Sequence, residues 1–313
     1  MGDEAMHTAE YPAPDRTLLH LSDTHLRAPG ARLFDVIDGA ERMQRTLASI
    51  VDSGVRPDAL IFTGDLADLG EPEAYTRLRS LVEPAAAAIG ARVMWVMGNH
   101  DDRVAFRSRL LDDDSGDDAP YDRVEEIDGL RIVTLDSSVP GHHHGEVSDE
   151  QLDWLAQVLR EPAPLGTVLA MHHPPVPAVL DLAASVELRE QRRLAKVLRG
   201  TDVRAVIAGH LHYSTFATFA GIPVSVASST CYAQDLTVPV GGTRPQDGAQ
   251  SYNLVHLYDD TVVHSVVPVD VPRVLEYIDP AESQRRLVAA DVRPFSSPSR
   301  AASPSDRVAL SRR

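Results

Sequence analysis

AVIAGHLHYS, Ala205–Ser214, joins a buried-looking apolar run to a pair of histidines. The run Val203–Ala208 stops at Gly209, and His210 and His212 follow two positions apart. Residues two apart in extended backbone point the same way. The spacing therefore predicts two imidazoles converging on one point, with Gly209 letting the backbone turn. Neutral imidazoles aimed at one place suit a transition metal. A surface loop that happens to hold two histidines shows the same local pattern, so the rest of the chain has to decide between them.

Upstream, short apolar runs alternate with amphipathic ones. Strand-like runs are Thr17–Ser22, Ala59–Thr63, Val93–Met97, Gly166–Met171 and Val203–Ala208. Helix-like runs are Asp38–Ser53, Pro72–Ile89, Arg103–Leu111 and Leu188–Leu198, with Pro72 near a first turn and Gly90 after a last one. Ser148 with Gln151 opens another helix as a capping box. Asp128-Gly129 between strand-like runs predicts a hairpin. After His212 the texture turns all-β, with STFATFA, PVSVAS, NLVHLY and TVVHSVV, the last two linked by Asp259-Asp260. Helices alternating with strands predict an α/β fold. The β-rich second half adds a second sheet, giving a two-sheet β-sandwich flanked by helices in a single domain. Residues 1–15 read as an N-terminal arm, 16–278 as the domain, and 279–313 as a C-terminal helix capped by Asp279 followed by a Ser/Pro/Arg tail.

Metal-capable residues stand directly after five of these strands. SDTHL brings Asp23 and His25, TGDLAD brings Asp65 and Asp68, and MGNHDD brings Asn99 and His100. MHHPP brings His172 and His173, and GHLH brings His210 and His212. In open α/β sheets ligands bind beyond the carboxyl ends of the strands, so five strands deliver Asp, Asn or His to one edge. Singly each has a plain reading: Asp23 a turn residue, Asp65 or Asp68 a cap before Pro72, Asn99 a left-handed turn, His172 a satisfied histidine. Together they point to a metal centre.

In this order, DTH, GDLAD, GNHD, HHPP and GHLH resemble the five-block signature of the calcineurin-like metallophosphoesterase superfamily. The fuller pattern LLHLSDTHL, FTGDLADLGEP, WVMGNHDDR, SVPGHHHGE, HHPPVP and AGHLHYS is similar to bacterial class III cyclic nucleotide phosphodiesterases, over nearly all of the chain up to about Val269. The resemblance implies a metallophosphoesterase-type fold and two metal ions. Asp23, His25, Asp65 and His212 would hold one, and Asp65, Asn99, His172 and His210 the other, with Asp65 and a hydroxide bridging. It selects His172 over His173 as ligand. Mixed N/O donors without thiolate suit Mn, Fe, Zn or Co rather than a soft metal; the expected pair is Fe with Mn, with Mn, Zn or Co as replacements, about 3.5–4 Å apart in such centres. His100 would contact the phosphate, Asp68 would orient it through a hydrogen bond, and His143 of GHHHG would reach the substrate. The implied reaction is hydrolysis of 3′,5′-cyclic AMP, and of cyclic GMP, to the 5′-monophosphate by attack of the bridging hydroxide. Related readings are the same chemistry on 2′,3′-cyclic nucleotides, glycerophosphodiesters or phosphomonoesters, and a non-catalytic interaction protein on the same fold. The resemblance also implies a homodimer.

Bulk properties bound these readings. The chain has 313 residues, 43% of them hydrophobic, which is enough for a sizeable core. A formal net charge of −16 argues against nucleic acid as a partner, which needs a basic face. An anionic ester remains admissible, because bound metal reverses the local field. The single cysteine, Cys231, reads as packing and excludes a disulfide framework within the chain. The acidic start MGDEAMHTAEYPAP lacks the apolar run of a signal peptide, and no run is long enough to span a membrane. These features together predict a cytoplasmic protein. The tail, with Arg293, Arg300, Arg307, Arg312 and Arg313, could touch anionic lipid but reads as a flexible end. The acidic loop Asp112–Asp118 reads as a solvated excursion, and Tyr232 and Tyr252 as residues near loops that could stack on a base.

Overall fold

The computed structural model describes residues 7–270 and 273–293. Two sheets stack face to face. One has five strands, in the order Val262–Pro268, Ser251–Leu257, Arg16–Leu21, Ala59–Thr63 and Arg92–Val96. Its last three strands are mutually parallel, and the hairpin 251–268 joins antiparallel. The other has six, in the order Arg123–Ile127, Leu130–Leu135, Thr167–Met171, Val203–Ala208, Ile222–Val226 and Thr215–Phe219. Its four central strands are parallel and both edges are hairpins.

Side-chain alternation builds the layers. In Ala59–Thr63, Ala59 and Ile61 face the other sheet, whereas Leu60 and Phe62 face outward. In Thr167–Met171, Val168 and Ala170 point between the sheets and Leu169 and Met171 away. The outward faces are covered by helices. Gly39–Asp52, Pro72–Ile89 and Arg103–Leu110 bury Met43, Leu47, Leu78, Val82 and Phe106 over the five-stranded sheet. Asp149–Val158 and Gln191–Leu198 bury Leu152, Leu155, Leu194 and Leu198 over the six-stranded one. The two-sheet sandwich flanked by helices is therefore the observed fold.

Local chemistry sets the ends. Asp38 caps Gly39–Asp52 by accepting from the Ala40 and Glu41 amides. Ser148 and Gln151 form both halves of the capping box. The Asp128-Gly129 hairpin has both residues at positive φ, 44° and 93°. Asp279 caps the helix Pro280–Ala289, which buries no side chain. The strand His7–Thr8 pairs with Val292–Arg293, so the two flanking segments meet. The tail arginines Arg300, Arg307, Arg312 and Arg313 lie outside the described residues.

One expectation gains detail and one changes. The acidic loop is exposed but not free: Asp112 pairs with Arg79, and Asp113 and Asp117 clasp the buried Arg107. Tyr252 is buried in the core over the five-stranded sheet and has no face to offer a base. No described helix is long and apolar enough to cross a membrane.

Candidate metal centre

The five strands that precede metal-capable residues end together, three from one sheet and two from the other. The seam is closed by direct bonds between the sheets. His172 Nδ1 donates to the Thr63 carbonyl at 2.7 Å, and the His210 amide donates to the Asp23 carboxylate at 3.0 Å.

Three of the five strands, those ending before Gly64, Gly98 and Gly209, leave their sheets through a glycine that packs on a residue of another turn. A Cβ on Gly98 would stand 2.2 Å from Asp65 Oδ1, and one on Gly209 would stand 1.8 Å from Ser22 Oγ and 2.5 Å from Asp23 Oδ2. Gly209 lies outside the left-handed region, so its expected role as a turn-maker gives way to close approach. The unusual backbone falls on the polar residues instead. Asp23, His25, Asp65, His210 and His212 have φ of 51°, 41°, 50°, 72° and 56°. Such conformations cost about 1–3 kcal/mol each and persist where the surroundings impose them.

This backbone also corrects the reading of His210 and His212. They are not in extended chain and do not converge on one point. His212 Nε2 joins Asp23, His25 and Asp65 in a fully buried group whose ligand atoms lie within 4.8 Å of one another. His210 Nδ1 lies 3.2 Å from His172 Nε2, and His172 Nε2 in turn lies 3.3 Å from Asp65 Oδ2. Asp65 thus stands between two sets of donors.

Four imidazoles share one arrangement. His25 Nδ1 donates to Asp68 Oδ1 at 3.1 Å, His172 Nδ1 to Thr63 O, His210 Nε2 to Val186 O at 2.9 Å, and His212 Nδ1 to Tyr232 O at 3.0 Å. With one N–H committed to an oxygen, the neutral ring carries a lone pair on its other nitrogen. Those lone pairs meet: His25 Nε2 faces His212 Nε2 at 3.2 Å, and His172 Nε2 faces His210 Nδ1 at 3.2 Å. Asn99 Oδ1 is buried without a hydrogen-bond partner. Facing lone pairs, buried carboxylates and an orphaned amide oxygen form a donor set that fits cations.

Charge in the centre agrees. Burial opposes ionisation of Asp65, yet facing His172 and His25 hold its carboxyl well below the usual range. Burial likewise opposes ionisation of Asp23, and His212 brings it down to about 2. Burial works against a charged His172, but Asp65 pushes it up to about 9. Burial works against a charged His25, but the carboxylates of Asp65 and Asp68 raise it well above its ordinary value. Burial and the neighbouring His172 depress His210 to about 3.

A match to the calcineurin-like phosphoesterase family covers residues 16–214. This chain belongs to that family. The family works with a dinuclear metal centre, and the His/Asp clusters of this phosphoesterase are able to bind metal. The chain is 63% identical over 290 residues to a probable cyclic nucleotide phosphodiesterase of Rhodococcus erythropolis, covering 92% of this chain and 96% of that one. It is 58% identical over 296 residues to a cAMP/cGMP dual specificity phosphodiesterase of Mycobacterium tuberculosis, covering 94% and 92%. Among solved structures, a dimetal phosphatase from Danio rerio shares the fold with a TM-score of 0.59 at 18% identity, over 82% of this chain and 97% of that one.

Around the phosphoesterase centre, His100 stacks edge-on to His25 with ring centroids 4.8 Å apart. Its Nδ1 donates to the Asp68 main-chain carbonyl at 2.8 Å, while the Asp68 carboxylate stands 3.9 Å away and serves His25 and Arg27. Asp68 therefore orients His100 through its backbone, not its side chain. Nor is it the helix cap, a position taken by Glu71 without a side-chain bond. Of the three histidines in GHHHG, His143 meets the site: its Nδ1 lies 3.0 Å from Asn99 Nδ2 and its ring 5.2 Å from His100. His142 is exposed and His144 bonds Glu146. His173 has both nitrogens engaged, by Ser137 Oγ and by the His143 carbonyl.

Two features escaped the sequence reading. Asp101 accepts from the Leu66, Ala67 and Gly98 amides and from Tyr75 Oη, tying the Asp65 turn to the Asn99 turn. Burial and nearby Asp65 push its carboxyl up to about 6. Its signal was the fourth letter of GNHD. Cys231 is buried against Leu33 and Ile37, as packing requires, but it also lies beside His25 and His212. Burial pushes its thiol up to about 11, which leaves it unreactive.

Proposed function

We propose that this chain is a dinuclear metal-dependent phosphodiesterase that hydrolyses 3′,5′-cyclic AMP and cyclic GMP to nucleoside 5′-monophosphates. The observation that carries the reading is the pair of facing imidazole lone pairs on either side of Asp65. Substrate class follows from the two near-full-length relatives.

Asp23, His25, Asp65 and His212 would hold one ion, and Asp65, Asn99, His172 and His210 the second, with Asp65 between them. Nitrogen and oxygen donors suit iron paired with manganese, with manganese, zinc or cobalt as replacements. Bound there, the ions supply an activated water and a clamp on the phosphate oxygens. The chain's own groups do the rest. The amide of Asn99 and the ring of His143 stand together at the exposed side of the centre, placed to hold the ester. His100 has its Nδ1–H committed to Asp68 O, so Nε2 is the atom that exchanges a proton with the departing 3′ oxygen. Asp68 keeps the His25 lone pair directed inward. Residues 16–278 form the working domain in this reading, as a cytoplasmic homodimer, with 1–15 and 279–313 as appended segments.

The test is turnover of 3′,5′-cyclic AMP by the Mn²⁺-loaded chain, followed by product analysis beside the Asn99→Ala variant. Formation of 5′-AMP that falls at least a hundredfold in the variant supports the reading. Absence of turnover with metal bound, alongside turnover of a phosphomonoester or a 2′,3′-cyclic nucleotide, overturns the substrate assignment.

A further inference from the structure

One exposed aromatic residue is held in a backbone conformation that bulky side chains avoid. Phe34 has φ of 50° and is 56% exposed, and the neighbouring Asp35 has φ of 59°. Positive φ in a bulky residue signals a turn under strain. The loop that carries it is nonetheless rigidly footed. Leu33 and Ile37 exchange both main-chain hydrogen bonds, at 3.0 and 2.9 Å. Their side chains are buried against Cys231, with Tyr232 packed on the same small cluster. The chain thus spends backbone strain to display a phenyl ring to solvent on a stem bolted to the rim of the metal centre.

The ring is aligned with that centre. Phe34 stands edge-on to Tyr232, with centroids 5.1 Å apart and planes at 81°. Tyr232 in turn lies over His212 at 4.2 Å and within 6.0 Å of His25. Its carbonyl accepts from His212 Nδ1, so its position is fixed by a candidate ligand. From metal centre outward the order is therefore His25 and His212, Tyr232, Phe34. The aromatic corner thus borders the centre on its His25–His212 side.

We infer that Phe34 and Tyr232 form the stacking platform for the purine base of a cyclic nucleotide, a role that rests on the proposed phosphodiesterase activity. The corner offers the faces and edges of two aromatic rings. Every base has a π-face, so stacking is tolerant of base identity. The platform accepts adenine and guanine alike and discriminates against esters that lack a base.

The experiment compares KM and kcat for cyclic AMP, cyclic GMP and base-free ribose 3′,5′-cyclic phosphate in wild type, Phe34→Gly and Phe34→Trp. Glycine suits positive φ, so Phe34→Gly keeps the loop and removes only the ring. The expected result is KM for both nucleotides about tenfold higher in Phe34→Gly, with kcat and the base-free KM unchanged. Thermal stability should be no lower than wild type, and Phe34→Trp should restore the nucleotide KM. Unchanged nucleotide KM in Phe34→Gly, with wild type active on cyclic AMP, overturns the platform and leaves the phosphodiesterase reading intact. Wild type inactive on both nucleotides overturns the activity and the platform with it.

Discussion

His25 Nε2 and His212 Nε2 face each other at 3.2 Å, although each ring already donates its other N–H to oxygen. Two lone pairs at that separation repel unless a proton or a cation lies between them. The same holds for His172 Nε2 and His210 Nδ1. The folded chain has therefore been arranged around positive charge that its own side chains do not supply.

Protons fill that role when metal is absent, and metal must displace them. Burial works against a protonated His172, yet Asp65 pushes it up to about 9, and His25 is raised too. Metal uptake at pH 7.5 should therefore release at least one proton per chain. Calorimetric titration with Mn²⁺ in buffers of different ionisation enthalpy measures it, and the release should fade as pH rises through 9. The sign for stability is the same. With a folded value above the ordinary 6.5, His172 stabilises the metal-free fold fully below pH 6.5, and that contribution is lost as pH rises through about 9. The melting temperature of the metal-free protein should fall across that window.

The glycines before Asn99 and His210 are requirements of space. Gly98→Ala would drive a methyl group into Asp65, and Gly209→Ala one into Ser22 and Asp23. Each should destabilise the fold by about 1–3 kcal/mol through overpacking and weaken Mn²⁺ binding at least tenfold. Gly248→Ala, where a Cβ meets nothing within 4 Å, serves as the control and should leave both melting temperature and metal affinity unchanged.

Removing the Asp68 carboxylate separates its two contacts. Asp68→Ala deletes the acceptor for His25 Nδ1 but keeps the carbonyl that holds His100. Metal affinity should drop about 10–100-fold, the usual cost of losing a ligand's outer partner. The His100 tautomer, read from ¹⁵N chemical shifts, should stay as it is. A changed His100 tautomer with unchanged metal affinity would point to the side chain acting on His100 instead.

Asp101 should matter as much as any candidate ligand. Its carboxylate gathers three amides and Tyr75 Oη from two turns. Asp101→Ala leaves those buried donors without an acceptor, each worth about 1–3 kcal/mol. The expected outcome is a melting temperature many degrees lower, and loss of metal even where the chain still folds.

Much of this was legible in the residues because local rules and the tertiary fold agree. Asp38, Ser148 and Asp279 cap helices where side-chain chemistry says they should. Ala59–Thr63 and Val203–Ala208 are strands because they are buried on both faces, which a continuous apolar run announces. Sequence spacing failed where the backbone leaves regular geometry. At His210 and His212 the alternation rule does not apply to left-handed residues, so spacing alone aimed both at one point, and only the family resemblance assigned them to different ions. Asp68 looked like a partner for His100 because a motif names side chains, whereas the bond comes from its carbonyl. Asp101 stands in the GNHD block, but its bonds to the Leu66 and Ala67 amides, like the Phe34–Tyr232 corner, join residues far apart in the chain, which the motif letters do not announce.

The most direct test titrates the metal-free protein with Mn²⁺ while following both ions bound and hydrolysis of 3′,5′-cyclic AMP. The account predicts that two ions bind per chain and that turnover to 5′-AMP appears as the second equivalent fills. Full activity with a single ion bound, or no hydrolysis with both in place, would contradict it.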